Sequence, residues 1–214
     1  FAELFGCAKS SISEDIKLIR ETMDDGSLGT LETTAGTKGG VRYVPAISQE
    51  ETEKILLGLK KAFEEDDRML GSGLLYTSDI LFNPDYMKGA ARIFARQFAR
   101  SGADMVVTVE TKGIGVALFT AELLHLPLAV LRRESRVSEG SIVSVNYMSG
   151  SSARIQQMSL SKRALKPHTK ALIIDDIMRA GGSIKGIEDM LAEFDAQCCG
   201  IGAVIVAGGI EGKK

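Results

Sequence analysis

The densest chemistry in the chain lies between residues 171 and 183. Ala171-Leu172-Ile173-Ile174 is wholly apolar and runs into Asp175-Asp176. Ile177-Met178-Arg179-Ala180-Gly181-Gly182-Ser183 then reads as a small-residue loop that opens a helix. Glycines there let backbone N–H groups approach a phosphate closely, and a helix start adds free donors, a favourable dipole and the Ser183 hydroxyl. Two carboxylates at a strand end face the crevice of an open α/β sheet, where they suit ribose hydroxyls. Adjacent acids are costly to bury without a partner, which makes a purely structural role the weaker reading. A second turn, Val109-Glu110-Thr111-Lys112-Gly113-Ile114-Gly115, also joins a strand to a helix. Taken alone it is an ordinary connection with one cation.

Strand–helix alternation must hold these residues in place. The pattern predicts strands at 105–109, 128–131, 142–148, 172–174 and 201–206, with helices at 114–124 and 183–194. An amphipathic helix carries Ile55, Leu56, Leu59, Ala62 and Phe63 on one face, and another, opened by Pro84, turns Met87, Ala91, Phe94 and Phe98 inward. Continuous apolar strands alternating with helices imply a parallel sheet covered on both faces. Ser48-Gln49-Glu50-Glu51 reads as a capping box after Pro45. The expected domain boundary therefore falls between residues 1–46 and 47–214.

In the first segment, Ser11-Ile12-Ser13-Glu14 is also a capping box, and Ile12, Ile16 and Ile19 continue at helical spacing to about Met23. Strands at 28–32 and 40–44 flank the tip Ala35-Gly36-Thr37-Lys38-Gly39. A helix followed by a hairpin suggests the back half of a winged helix, with Lys38 and Arg42 on the wing. Lys9, Ser10, Ser11, Ser13 and Lys17 suit a recognition helix, whose small hydroxyl residues can approach phosphates or base edges. Against this, residues 1–46 hold seven acids and five bases, which is no broad basic footprint. Phe1-Ala2-Glu3-Leu4-Phe5 lacks a start methionine and a signal sequence, so the domain is expected to lack its first residues.

Composition bounds the rest. The 214 residues carry a net charge of −2, and no apolar run approaches the roughly 20 residues of a membrane span. Cys7, Cys198 and Cys199 have no zinc-site spacing and read as thiols of a reducing cytoplasm; no metal site is expected. Between Glu139 and Asp175 there is no acid, yet Arg154, Lys162, Arg163, Lys166 and Lys170 fall there. That stretch is either a solvated face or a phosphate-facing surface.

The 171–183 segment resembles the phosphoribosyl pyrophosphate (PRPP) motif of type I phosphoribosyltransferases. The resemblance implies that Asp175 and Asp176 bind the ribose hydroxyls and that Arg179, Ala180, Gly181, Gly182 and Ser183 cradle the 5′-phosphate. It places Thr111, Lys112 and Gly113 in the pyrophosphate loop. The excursion from Arg133 to about Lys162 becomes the family's mobile loop, with Arg154 near its tip. Many enzymes of this fold have Thr where Ala180 stands, and no acid–base residue for a purine is evident; His125 reads as structural and His168 as exposed. Ala8-Lys9-Ser10-Ser11-Ile12-Ser13-Glu14-Asp15, Gly39-Gly40-Val41-Arg42-Tyr43, Tyr147-Met148-Ser149-Gly150-Ser151-Ser152 and Arg154-Ile155-Gln156 extend the likeness. Together with the PRPP motif they make the chain resemble the purine operon repressors of Gram-positive bacteria. That family implies a winged helix joined to a phosphoribosyltransferase-like effector domain, in a cytoplasmic homodimer. It implies PRPP as effector, with Mg2+, operator DNA as partner and no transferase activity. The same anion sites have the chemistry to accept guanosine polyphosphates. The rival reading is an active xanthine- or adenine-type phosphoribosyltransferase with an N-terminal extension; a dimerising module with no DNA role ranks last.

Overall fold

Strands built almost entirely of Val, Ile, Leu and Ala have no face to give to water, so they must lie between two layers. The computed structural model describes residues 1–23, 28–34, 36, 40–65, 68–70, 74–133, 140–148, 155–178 and 182–206. In chain order these form α1 (Ala2–Phe5), α2 (Lys9–Thr22), β1 (Thr30–Thr34), β2 (Gly40–Val44), α3 (Gln49–Glu64), β3 (Met69–Leu70), β4 (Leu74–Leu75) and α4 (Ser78–Leu81). There follow α5 (Pro84–Phe98), β5 (Met105–Val109), α6 (Gly113–Leu124), β6 (Leu128–Leu131), β7 (Ile142–Met148), β8 (Ile155–Ser161), β9 (Lys170–Met178), α7 (Gly182–Ala192) and β10 (Gln197–Val206).

The expected parallel sheet is present, in the order β10-β9-β5-β6. Its two faces are separate cores. Ile173 packs with Tyr147 and Met158 of the β7–β8 hairpin and Ile187 and Met190 of α7. Its strand neighbours Leu172 and Ile174 face Leu59, Met87, Ala91 and Val116 from α3, α5 and α6. The alternation of β9 thus divides one strand between two layers.

Several expectations need correction. β9 does not stop at Ile174: it pairs with β10 as far as Met178↔Val206, so both aspartates lie inside a strand. The edge there belongs to β5, whose pairing with β9 ends at Val107↔Ile173. The excursion holds a second strand, β8, antiparallel to β7 along its whole length. Helix α2 starts at Lys9, with Ala8 as an N-cap that makes no side-chain bond, so the Ser11 capping box does not form. Ala8 is extended and nothing bars helix at Lys9 and Ser10, which moves the start two residues upstream of Ser11. Leu56 is 52% exposed, because it lies about 100° round α3 from Ile55, which shares a face with Leu59 and Ala62.

Ser48 does cap α3, its Oγ accepting from the Glu51 amide at 3.0 Å. The Glu51 carboxylate, instead of closing the box, pairs with Arg92 of α5 at 2.8 Å, and Arg92 also donates to the Ala46 carbonyl. Arg100 at the end of α5 grips Glu32 of β1 and holds its carboxyl below the usual range. The hairpin is thereby tied to the end of α5. His125 ends α6 in the left-handed conformation, its amide donating to the Glu122 carbonyl.

Gly186 shows how closely α7 sits on the hairpin: a Cβ there would lie 2.8 Å from Tyr147 Cβ. Gly186→Ala should therefore destabilise by about 1–3 kcal/mol of overpacking, outweighing the roughly 1 kcal/mol that alanine gains over glycine in a helix. A thermal melt should show a lower Tm; an equal or higher Tm would mean the interface has room.

Candidate functional site

Where β5 ends and β9 continues, the C-terminal edge of the sheet opens a notch, and Asp175 and Asp176 stand at it. Asp175 is 6% exposed, and its Oδ1 accepts from the Asp176 amide at 3.0 Å. Burial, and then the charge of Asp176, push the Asp175 carboxyl up to about 8, while the Asp176 amide and the charge of Arg133 pull the other way. At neutral pH this group mostly keeps its proton, and anything that donates to it or brings positive charge will ionise it.

The turn after β5 closes on the same point. A Cβ on Gly113 would overlap both Asp175 Oδ1 and Thr108 Oγ1, so only glycine fits where α6 begins. Thr108 is fully buried, and its hydroxyl finds no hydrogen-bond partner among the described residues. Lys112 is the N-cap of α6 and donates from Nζ to Thr77 Oγ1 at 3.1 Å. Thr111 is exposed and follows a cis peptide bond from Glu110. Glu110 anchors the turn to the end of β6, accepting from the Arg133 amide at 2.7 Å and pairing with Arg132 Nη1 at 3.2 Å. Gly182 and Ser183 open α7, half-buried, just beyond β9.

The structure thus gathers Asp175, Asp176, Gly113, Lys112, Thr111, Gly182 and Ser183 at one edge of the sheet. Arg179, Ala180, Gly181 and Arg154 lie outside the described residues. Sequence reasoning missed Thr108, Glu110 and Arg133 as parts of this edge. Thr108 was visible as the one polar residue in an apolar strand, and Arg133 as half of a cation pair directly after β6. No group of three potential metal ligands occurs among the described residues. The geometry offers hydroxyl acceptors beside two helix starts, a site for a polyhydroxylated anion.

The expected DNA-facing residues divide. Lys9 and Ser13 line a groove of about 340 Å3 with Phe1, Ile12, Ile16 and Val41, and Ser13 Oγ donates to the Lys9 carbonyl at 3.0 Å. Ser10 and Lys17 lie on another side of α2, roughly 100° away; Ser11 lies about 100° further. All five are exposed, and Lys17 pairs with Glu21 at 3.8 Å. Arg42 is exposed and opposite Glu32, on the hairpin face turned from the strand residues that Arg20 of α2 binds. Lys38 lies outside the described residues. Lys162, Arg163, Lys166 and Lys170 do not face the notch. They lie on the connection from β8 down to the N-terminal end of β9, away from Asp175.

Residues 1–45 match the family described as bacterial purine repressor, N-terminal, and residues 77–214 match the phosphoribosyl transferase domain. The chain is 44% identical over 211 residues to the purine biosynthesis transcriptional repressor of Bacillus subtilis, covering 99% of this chain and 74% of that protein. It is 39% identical over 207 residues to the purine biosynthesis transcriptional activator of Lactococcus lactis, covering 97% and 76%. Adenine phosphoribosyltransferase from Saccharomyces cerevisiae superposes with a TM-score of 0.62 at 19% identity, over 72% of this chain and 90% of the other, which identifies the fold. No helix among the described residues is long and apolar enough to cross a membrane.

The raised Asp175 value has a thermodynamic consequence. Its ordinary value is 3.8 and its folded value about 8, so the folded state holds a proton that the unfolded chain has lost between those limits. Stability must fall as pH rises through that window, by roughly 1.4 kcal/mol for each pH step of one across it. Asp175→Asn, which removes the titration, should melt near the wild-type temperature at about pH 4 and several degrees above it at about pH 8. Parallel melting curves for the two proteins across this range would refute the buried assignment.

Proposed function

Because the chain belongs to the bacterial purine repressor family, we propose that it regulates transcription of purine-metabolism genes by binding operator DNA, and that its second domain senses PRPP without catalysing transfer. The observation that carries this reading is the pair Asp175–Asp176 set against Gly113 at the open end of β9. In this reading residues 1–46 bind DNA through α2 and the hairpin, and residues 47–214 bind the effector.

Asp175 and Asp176 accept hydrogen bonds from the ribose hydroxyls. The α7 start with Arg179, Ala180, Gly181, Gly182 and Ser183 holds the 5′-phosphate, and Thr111, Lys112 and Gly113, with Arg154, meet the pyrophosphate. Lys112, which bonds the neutral hydroxyl of Thr77, gains further from a phosphate oxygen, since its ammonium has three donors and charge-assisted bonds are the stronger ones. A magnesium ion accompanying the ligand fits this donor set, since Mg2+ is commonly held by one or two carboxylates plus phosphate oxygens. Guanosine polyphosphates carry the same anionic groups and would compete for the same edge. Ala180, where many enzymes of the fold have threonine, supports sensing over catalysis; the retained fold is what favours the rival, an active phosphoribosyltransferase. Of the two relatives, the more similar is a repressor, which supports that sign of control. A homodimer, in the cytoplasm, would present two winged helices to a two-fold operator.

The test is a titration of an operator duplex from upstream of a purine gene, with and without saturating PRPP and Mg2+. Wild type should shift in affinity by roughly 5–150-fold, the usual range of allosteric coupling. Asp176→Ala should bind DNA as wild type does, with PRPP affinity lowered by about one to two decades for the missing charged hydrogen bonds. An operator affinity indifferent to PRPP would overturn the sensor. Nucleotide formed from PRPP and a purine base at around 1 s⁻¹ would establish the enzyme.

A further inference from the structure

Helix α5 carries Arg92, Arg96 and Arg100, spaced four apart and therefore on one face. Both ends of this row hold the β1–β2 hairpin. Arg92 Nη2 donates to the Ala46 carbonyl, just past β2, at 3.3 Å. Arg100 holds the carboxylate of Glu32 in β1. Eight helical residues rise about 12 Å. Arg42, which pairs across the strands with Glu32, is four residues before Ala46, a span of at most about 14 Å. The two lengths match, so the arginine row runs alongside the hairpin and brings Arg100 to the Glu32–Arg42 pair.

One carboxylate there faces three cations. Arg100 Nε donates to Glu32 Oε1 at 3.0 Å and to Oε2 at 3.3 Å, and Nη2 also donates to Oε1. Those bonds, then the charges of Arg100, Arg42 and Arg96, hold the Glu32 carboxyl below its ordinary value against the desolvation that raises it. Residues directly opposite in an antiparallel pair have Cβ atoms only about 4.5–5.5 Å apart, well within the reach of an arginine. Yet Glu32 bonds Arg100 across the boundary between the units, and Arg42 is exposed and forms no ion pair among the described residues.

The choice of partner decides what Arg42 can do. A guanidinium already paired with a carboxylate must give up that pair before it can neutralise a phosphate, and the freed acid then repels the same phosphate. An exposed ion pair contributes little to stability by itself, so a latch that merely strengthens the fold is the weaker account of Glu32–Arg100. Its larger effect is on the charge left available next door.

We propose that Arg100, backed by Arg96 one turn earlier, is a positioning residue for the wing: it takes the Glu32 carboxylate and so leaves the Arg42 guanidinium to a phosphate of the duplex. The proposal rests on the reading of this chain as a DNA-binding regulator with Arg42 on its wing. The second domain thereby sets the charge that the first presents to DNA. Without both α5 arginines, Glu32 turns to its cross-strand neighbour and the wing loses a phosphate contact.

The experiment titrates an operator duplex at several salt concentrations. Arg96→Ala with Arg100→Ala should bind more weakly than wild type, with a log–log salt slope smaller by about 0.9, the value of one phosphate contact. Adding Glu32→Gln to that double variant should restore the slope, because nothing then occupies Arg42. Adding Glu193→Gln instead, an exposed acid just past α7, makes the same change in net charge and should restore nothing. Arg42→Ala should lower the slope of wild type by about 0.9 and leave that of the double variant as it is. An unchanged slope in the double variant overturns the proposal. So does a loss that Glu32→Gln fails to restore, as it would if the α5 arginines touched DNA themselves, or one that Glu193→Gln restores equally well. A wild-type slope indifferent to Arg42→Ala would remove the wing contact on which the proposal rests, and wild type that binds no operator would remove the regulator reading itself.

Discussion

Two carboxylates on consecutive residues, in a strand whose pairing with β5 has already ended, impose the constraint on which the molecule turns. Asp175 is buried, yet no lysine or arginine side chain forms an ion pair with it among the described residues. Burial of this kind is tolerated by holding a proton, and the raised value of Asp175 expresses that. The apolar length of β9 upstream, the glycine at 113 and the two cores that clamp the sheet all keep this pair at the notch. On the function proposed above, this is the edge that a ligand supplying hydroxyl donors and charge would occupy.

From the notch, contacts run without a gap toward the amino-terminal unit. Lys112 bonds Thr77 at the start of α4, and Asp79 of α4 takes Arg68, which also holds Glu65 at the end of α3. The other end of α3 carries Glu51, bound to Arg92, which reaches the Ala46 carbonyl beyond β2. A phosphate that engages Lys112 acts on the first link of this chain. Differential affinity for the two arrangements is what would make such a path a switch.

Much of this was legible in the residues. Strands without polar faces announced a doubly covered parallel sheet, and Asp-Asp followed by Gly-Gly-Ser pointed to the edge of the sheet where Asp175, Asp176 and the start of α7 lie. What could not be read depends on partners distant in sequence. β9 outruns its expected end because β10 continues beside it, which no property of residues 175–178 reveals. Ser11 has a capping sequence, but Ala8 and Lys9 extend the helix past it. The cations at 162–170 sat close to the PRPP motif in sequence, and only the direction of β9 shows that they lie at its opposite end.

The central claim, that the Asp175–Asp176 notch is a ligand site held protonated until occupied, is tested most directly by calorimetry of PRPP binding with Mg2+ at pH 7. Repeating the titration in buffers of different ionisation enthalpy counts the protons exchanged. Ligand hydroxyls and the accompanying cation favour the ionised carboxyl, so wild type should release up to about one proton per site. Asp175→Asn should lose that release. Binding with no proton release, or with the same release in Asp175→Asn, would contradict the account.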